Sequence, residues 1–231
     1  MSSPQPFGKM EIVNHLAAAH GYRNYLELCT FTTGFKYAEV DRANLDHCHR
    51  LMYAVPADFD DGMPIDFRIA GFDITDCVRE IARQNFRYDV MLVDPWHLYE
   101  TSLRDLEAAF TLIAHGGSFV VHDCLPPDAW MADPVWREGP WCGATYKAFL
   151  DFVLGRDDLA YYTVDTDFGC GVIRKGAPGV QPERLIPEWR KFGNDLQAAY
   201  RFFVQHQREL LNLVTVEEFK RRERIPPLVQ A

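Results

Sequence analysis

Nowhere does this 231-residue chain carry the roughly 20 consecutive apolar residues of a membrane span, and residues 1–9 lack the apolar stretch of a secretory leader. No pair of cysteines stands as Cys-x-x-Cys. The six (Cys29, Cys48, Cys77, Cys124, Cys142 and Cys170) are scattered, which speaks for reduced thiols in a cytoplasmic protein. Basic residues are the minority, 24 against 33 acidic, for a net charge of −9, which argues against a nucleic-acid backbone as partner. Three common fingerprints are missing as well. The turn Leu28-Cys-Thr-Phe-Thr-Thr-Gly34 is not Gly-x-Gly-x-x-Gly, so close backbone approach to a dinucleotide pyrophosphate is disfavoured. No Gly-x-x-x-x-Gly-Lys-Ser/Thr offers a phosphate loop, and no Gly-x-Ser-x-Gly offers a strained serine elbow.

What remains is ordinary globular material, 48% hydrophobic and 25% charged, with enough apolar mass for one core. Spaced apolar residues predict a helix over Lys9–His20, closed by Gly21. Residues 25–29 read as a buried strand, 50–55 as a second and 65–69 as a third. Thr75 is the expected N-cap of a helix carrying Val78, Ile81, Ala82 and Phe86. The apolar run Tyr88–Asp94 is a strand ending in an acid. After it, Ser102 and Asp105 resemble a capping box, Leu103, Leu106, Phe110 and Ile113 mark a helix face, and Gly116-Gly117 is expected to stop it. Residues 118–124 form the next strand. Strand, helix, strand at this spacing is a βαβ unit with parallel strands. A helix over 146–154 follows, then strands Leu159–Val164 and 171–174, whose short connection demands an antiparallel pair. The expected fold is therefore α/β: a Rossmann-like open twisted sheet, mostly parallel with one reversed strand. Residues 1–180 make the main domain and 181–231 a helical extension. Within 187–224, Tyr200, Phe203, Leu210, Leu211 and Val214 form an apolar stripe that predicts packing on the domain or on a second copy as a homodimer. Residues 221–224 read as a solvated charged end.

Open α/β sheets bind ligands at the carboxyl ends of their strands. Glu27 lies in the first strand, Asp94 ends the central one, and His122-Asp123 end its neighbour. Adjacent strands are about 4.8 Å apart, and two carboxylates that close repel unless a cation or a proton intervenes. With His97 three residues after Asp94, the group Asp94, His97, His122 and Asp123 is a candidate for a hard divalent ion or for general acid–base work, as against loop caps and gap-filling histidines. His47-Cys48-His49 lacks the wider spacing and second ligand pair of zinc sites. Asp58, Asp60 and Asp61 lack a calcium-loop register, leaving a solvated loop. Trp130, Trp136 and Trp141 are either a wall for an apolar or aromatic substrate or packing anchors.

The motifs Tyr25-Leu-Glu-Leu, Tyr88-Asp-Val-Met-Leu-Val-Asp-Pro-Trp-His-Leu-Tyr-Glu100 and Gly116-Gly-Ser-Phe-Val-Val-His-Asp123 resemble class I S-adenosylmethionine-dependent methyltransferases. Within that class the chain is similar to the branch with an Asp-x-x-His-x-Tyr signature, which includes cephalosporin-hydroxylase-like proteins and sugar O-methyltransferases of antibiotic tailoring. Trp141-Cys-Gly-Ala-Thr-Tyr-Lys147 and Asp165-Thr-Asp-Phe-Gly-Cys-Gly-Val172 look like that branch too. The resemblance implies about seven strands and S-adenosylmethionine as cofactor, with Glu27, Cys29, Thr30, Gly34, Asp58 and Asp94 around it. Cys29 stands where the family places its first glycine, and the threonines offer hydroxyl donors instead. It further implies magnesium or another divalent metal held by Asp94 and Asp123, with His97 and His122 as ligands or catalytic bases alongside Asp94. The activity implied is methyl transfer to a hydroxyl or amine of a small molecule; the alternative is a catalytically degenerate relative acting as a binding module.

Overall fold

The computed structural model describes residues 7–33, 36–176 and 178–224. The first helix, α1 (Lys9–His20), buries Met10, Ile12, Val13 and Leu16, and ends where Gly21 turns at φ +65°. Strand β1 (Asn24–Thr30) is buried from Tyr25 onward, as a central strand covered on both faces must be. Between β1 and β2 (His47–Tyr53) the described residues form one short 3₁₀ turn, Tyr37–Glu39, and no α-helix. That face of the sheet is covered instead by α1 with Tyr37 and Val40, packed on Tyr25, Val90, Leu92 and Val120.

The chain continues through β3 (Phe67–Arg68), α2 (Thr75–Arg83), β4 (Tyr88–Asp94), α3 (Tyr99–Leu112), β5 (Ile113–Val121) and α4 (Thr145–Val153). The hairpin β6 (Leu159–Val164) and β7 (Cys170–Lys175) follows, then α5 (Ile186–Arg190), α6 (Leu196–Leu210) and α7 (Val216–Arg222). The seven strands lie in the order β3-β2-β1-β4-β5-β7-β6. All neighbours are parallel except at β7, which runs against both β5 and β6. This is the open, mostly parallel sheet that the sequence predicts. Among the described residues no helix is long and apolar enough to cross a membrane. The six cysteines are free thiols.

Several local expectations are corrected. Ser102 and Asp105 do not cap α3, which begins at Tyr99; both are buried inside it. Ser102 Oγ lies 3.2 Å from Thr145 Oγ1, and Asp105 accepts the Tyr53 hydroxyl at 2.6 Å. Thr75 is the first helical residue rather than the cap. Gly116-Gly117 does not stop α3. The chain passes directly into β5 at Ile113, and the glycines sit where the register with β4 slips between Tyr88–Ile113 and Val90–Ser118. The second strand begins at His47, and the third shrinks to two residues. Among the described residues the tail is helical as expected, in three helices, and its apolar stripe folds onto its own domain: Phe203, Leu210 and Leu211 share a core with Tyr146, Phe149 and Tyr161. Covered in this way, the stripe supplies no argument for a second copy. Glu223 is not a solvated end either. It is buried and accepts from Arg174 Nη2 at 2.9 Å and the Tyr162 hydroxyl at 2.9 Å, while Arg221, Arg222 and Arg224 are exposed.

Candidate active site

The register brings the candidate residues together. Val93 of β4 pairs with Val121 of β5, so Asp94 and His122-Asp123 leave neighbouring strands at the same level. The loop after β4 carries His97 back over the strand ends. It is held there by the Ala144 amide, which donates to the His97 carbonyl at 2.8 Å. His97 Nε2 lies 2.9 Å from Asp123 Oδ2 and 3.7 Å from Asp94 Oδ1. His122 Nδ1 lies 2.9 Å from Asp123 Oδ2 and 3.6 Å from Asp94 Oδ1. One ligand atom each from Asp94, His97 and Asp123 lie within 4.8 Å of one another.

Two further residues complete the cluster, and sequence reasoning missed both. Lys9, the first residue of α1, reaches Asp94 Oδ2 with its ammonium. Asp167, from the β6–β7 turn, places Oδ1 3.2 Å from His122 Nε2. A lysine at the positive end of a helix opposes the helix dipole and so hints at a nearby acid; Asp167 lies inside the Asp165–Val172 motif, whose resemblance does not assign it to the site. Strained backbone gathers at the same place. Asp123 (φ +62°), Asp167 (φ +47°) and Phe168 (φ +58°) all occupy the left-handed region.

Little bulk water reaches the cluster: Asp94 is 1% exposed, Asp123 4%, His122 7% and His97 9%. Burial by itself penalises every charge here, yet mutual pairing overrides it. For Asp94 and Asp123, burial is outweighed by Lys9 and His122, and by His122 and His97 respectively, holding both carboxyls well below the usual range. For His97, burial is outweighed by Asp123 and then Asp94, lifting it to about 9; His122 is raised well above its ordinary value in the same way. Three carboxylates thus face three basic groups.

The expected cofactor residues are placed differently. Glu27 is fully buried, its carboxylate accepting the Tyr25 hydroxyl at 3.1 Å and the Cys29 thiol at 3.5 Å, with Arg50 Nε at 3.7 Å. Burial, only partly offset by Arg50, pushes it up to about 7. Thr30 is buried; its hydroxyl lies 2.8 Å from that of Thr32 and 3.1 Å from that of Thr33. Thr33 donates to the Asp94 carbonyl at 2.8 Å, joining this turn to the acid–histidine cluster. Gly34 lies outside the described residues. Thr32 and Asp58 are exposed, next in the chain to Phe31 and Phe59, which with Ile65 are half-buried and pack on Cys29, Met52 and Val55.

The remaining candidates stay apart from the site. His47 and His49 share one face of β2 with Phe86 and Tyr88, while Cys48 joins the apolar cluster on the other. Asp60 and Asp61 accept loop amides, and Asp61 also pairs with Arg50 at 2.7 Å. Of the tryptophans, only Trp141 meets the cluster, its ring 5.3 Å from that of His97 and 5.5 Å from that of Trp96; Trp130 and Trp136 are exposed. A cavity of about 390 Å³ opens beside Lys9 and Asp167, bordered also by Lys36, Glu39 and Phe168.

This sheet order is a Rossmann-like methyltransferase fold. Solved structures share it at low identity. The O-methyltransferase from Bacillus cereus, in complex with SAH, is 14% identical over 76% of this chain and 83% of its own, with a TM-score of 0.53. TomG from Streptomyces achromogenes, an O-methyltransferase of tomaymycin synthesis in complex with SAM, is 16% identical over 77% and 82%, also at 0.53. The cofactor-bound Rv0187 from MTB is 14% identical over 77% and 82%, at 0.54. No family model matches the chain, and no curated protein matches its sequence.

Proposed function

We propose that the chain is an S-adenosylmethionine-dependent methyltransferase that acts on a hydroxyl or amine of a small molecule with the help of a divalent ion. The observation that carries this reading is the convergence of Asp94, His97 and Asp123 at the ends of the two central strands of a methyltransferase fold. The donor set suits such an ion: two carboxylates and an imidazole, with Asp94 Oδ1 buried and lacking a hydrogen bond among the described residues. Bound there, the ion would lower the pKa of an acceptor hydroxyl.

The chain's own groups do the rest. The cavity beside Lys9 and Asp167 admits the acceptor. His122, charged between Asp123 and Asp167, holds those two carboxylates in place rather than taking a proton itself. The surface from Thr32 to Asp58 holds the adenosine end of the cofactor one strand away, since Cys29 of β1 pairs with Asp94 of β4. Trp141 shuts water from the His97 side, leaving methyl transfer to depend mainly on alignment.

Calorimetric titration with S-adenosylmethionine, with and without magnesium, tests the reading. Saturable binding is expected, and Asp94→Asn and Asp123→Asn should abolish the magnesium response while leaving cofactor binding largely intact. Absence of binding under both conditions would instead make the fold a binding module without this cofactor.

A further inference from the structure

Lys9 is carried into the acid–histidine cluster by an element outside the sheet, and its backbone is fixed on both sides. Its amide donates to Asp167 Oδ2 at 3.0 Å, and Thr166 Oγ1 donates to the Phe7 carbonyl at 2.5 Å. A β-carbon on Gly8 would stand 2.8 Å from Asp167 Oδ2, so a larger residue there would have to displace this carboxylate. The lysine side chain then runs inward, 10% exposed, to Asp94 Oδ2. A positive charge at the first position of a helix opposes the dipole, and this fold tolerates that cost in order to seat an ammonium on Asp94.

We propose that Lys9 is the resident cation of Asp94, standing on the carboxylate that a divalent ion would otherwise bind, so that ion binding requires Lys9 to withdraw. The inference rests on reading Asp94, His97 and Asp123 as a divalent-ion site. An ion ligated at roughly 2.0–2.6 Å by Asp94 Oδ1 would stand beside the ammonium on Oδ2, and the two cations repel across one carboxylate in a site so poorly hydrated. Lys9 also lines the 390 Å³ cavity, so its side chain has somewhere to go. Lys9 then acts as a positioning residue. Without the ion it keeps Asp94 neutralised and α1 seated on the β6–β7 turn; with the ion, Asp94 turns to its new partner and the cavity gains access to the strand ends.

Manganese is the probe. Chelator-treated wild type, Lys9→Met and Lys9→Arg are titrated with Mn²⁺ by calorimetry. Removing the competing charge should tighten binding by about tenfold or more in Lys9→Met, because Asp94 is then a buried acid lacking its main counter-charge, and Lys9→Arg should bind no tighter than wild type. Equal or weaker binding by Lys9→Met, with wild type still binding, overturns the proposal and leaves the ion site standing. No binding by either overturns both. A second measurement needs only wild type: acetylation of Lys9 by acetic anhydride, followed by mass spectrometry. Labelling should be slow in chelator and faster in saturating Mn²⁺; a rate indifferent to Mn²⁺ overturns the withdrawal of Lys9.

Discussion

A β-carbon on Gly143 would stand 2.1 Å from the carbonyl oxygen of His97, and the residue sits at φ +55°. Both facts demand glycine, and they explain why the segment from Trp141 to Ala144 lies flat against the His97 loop. Gly143→Ala should therefore push His97 away from Asp94 and Asp123. The expected cost is about 1–3 kcal/mol in urea unfolding, together with weaker Mn²⁺ binding in calorimetry. A variant that loses stability but binds the ion as before would separate His97 from the ion. Gly169 makes a comparable close approach at φ +84°, where a β-carbon would meet Leu125 at 2.3 Å. That approach holds the strained Asp167-Phe168 pair against the chain leaving β5, with the Leu125 amide donating to the Phe168 carbonyl at 2.7 Å. The glycines of this site are spent on packing loops over strand ends.

Among the elements, α7 hangs on one acid just beyond its end. Glu223 Oε2 lies 2.7 Å from His20 Nε2 and accepts from Arg174, and Oε1 accepts from Tyr162, tying the last helix to α1 and the β6–β7 hairpin. Burial alone would raise this carboxyl, but its bonds to His20 and Arg174 pull it from the ordinary 4.5 down to about 2. A depressed carboxyl stabilises the fold above its unfolded value, and that contribution is lost as pH falls through the folded one. Glu223→Gln should thus cost about 1.5–3 kcal/mol in urea unfolding at pH 6, with the gap to wild type closing as pH falls from 4.5 towards 2. A gap that stays constant with pH would mean that the charge plays no part.

The elements also differ in how far they could be read ahead. Lys9–His20, Tyr88–Asp94 and Leu159–Val164 have the predicted bounds because each is an apolar run closed by glycine or charge. The start of β2 was hidden because His47-Cys48-His49 is polar and takes its strand character from pairing with β1. Ser102 and Asp105 fit the capping pattern, yet their hydrogen bonds go to Thr145 and Tyr53, partners that no local window contains. Likewise, the strand-end acids of the site were legible from position alone, whereas Lys9 and Asp167 arrive from elements 158 residues apart in the chain.

Across the whole molecule, the C-terminal helices complete the core more than they extend it. Leu185, Ile186, Trp189, Ala199 and Phe203 bury into the same cluster as Phe149, Leu150 and Val153 of α4 and Tyr161 of β6. Trp189 Nε1 donates to Asp151 Oδ1 at 2.7 Å, and Asp151 also accepts from the Tyr99 hydroxyl at 2.8 Å, so α3, α4 and α5 meet at one carboxylate. The Thr163 amide donates to the Leu211 carbonyl and the Val214 amide to the Thr163 carbonyl, both at 2.9 Å, adding backbone bonds along the outer side of β6. Removing this layer would uncover the outer face of α4 and leave the edge of the sheet unpaired. Each large apolar side chain returned to water costs roughly 1.5–3 kcal/mol, and several such losses exceed the 5–15 kcal/mol that holds a typical domain together. A chain ending at residue 180 should accordingly fail to fold alone, losing its cooperative thermal transition by circular dichroism and precipitating or binding a hydrophobic dye. A truncated chain that melts cooperatively near the wild-type temperature would show residues 181–224 to be an appendage, and the core to be sufficient without Trp189 and Phe203.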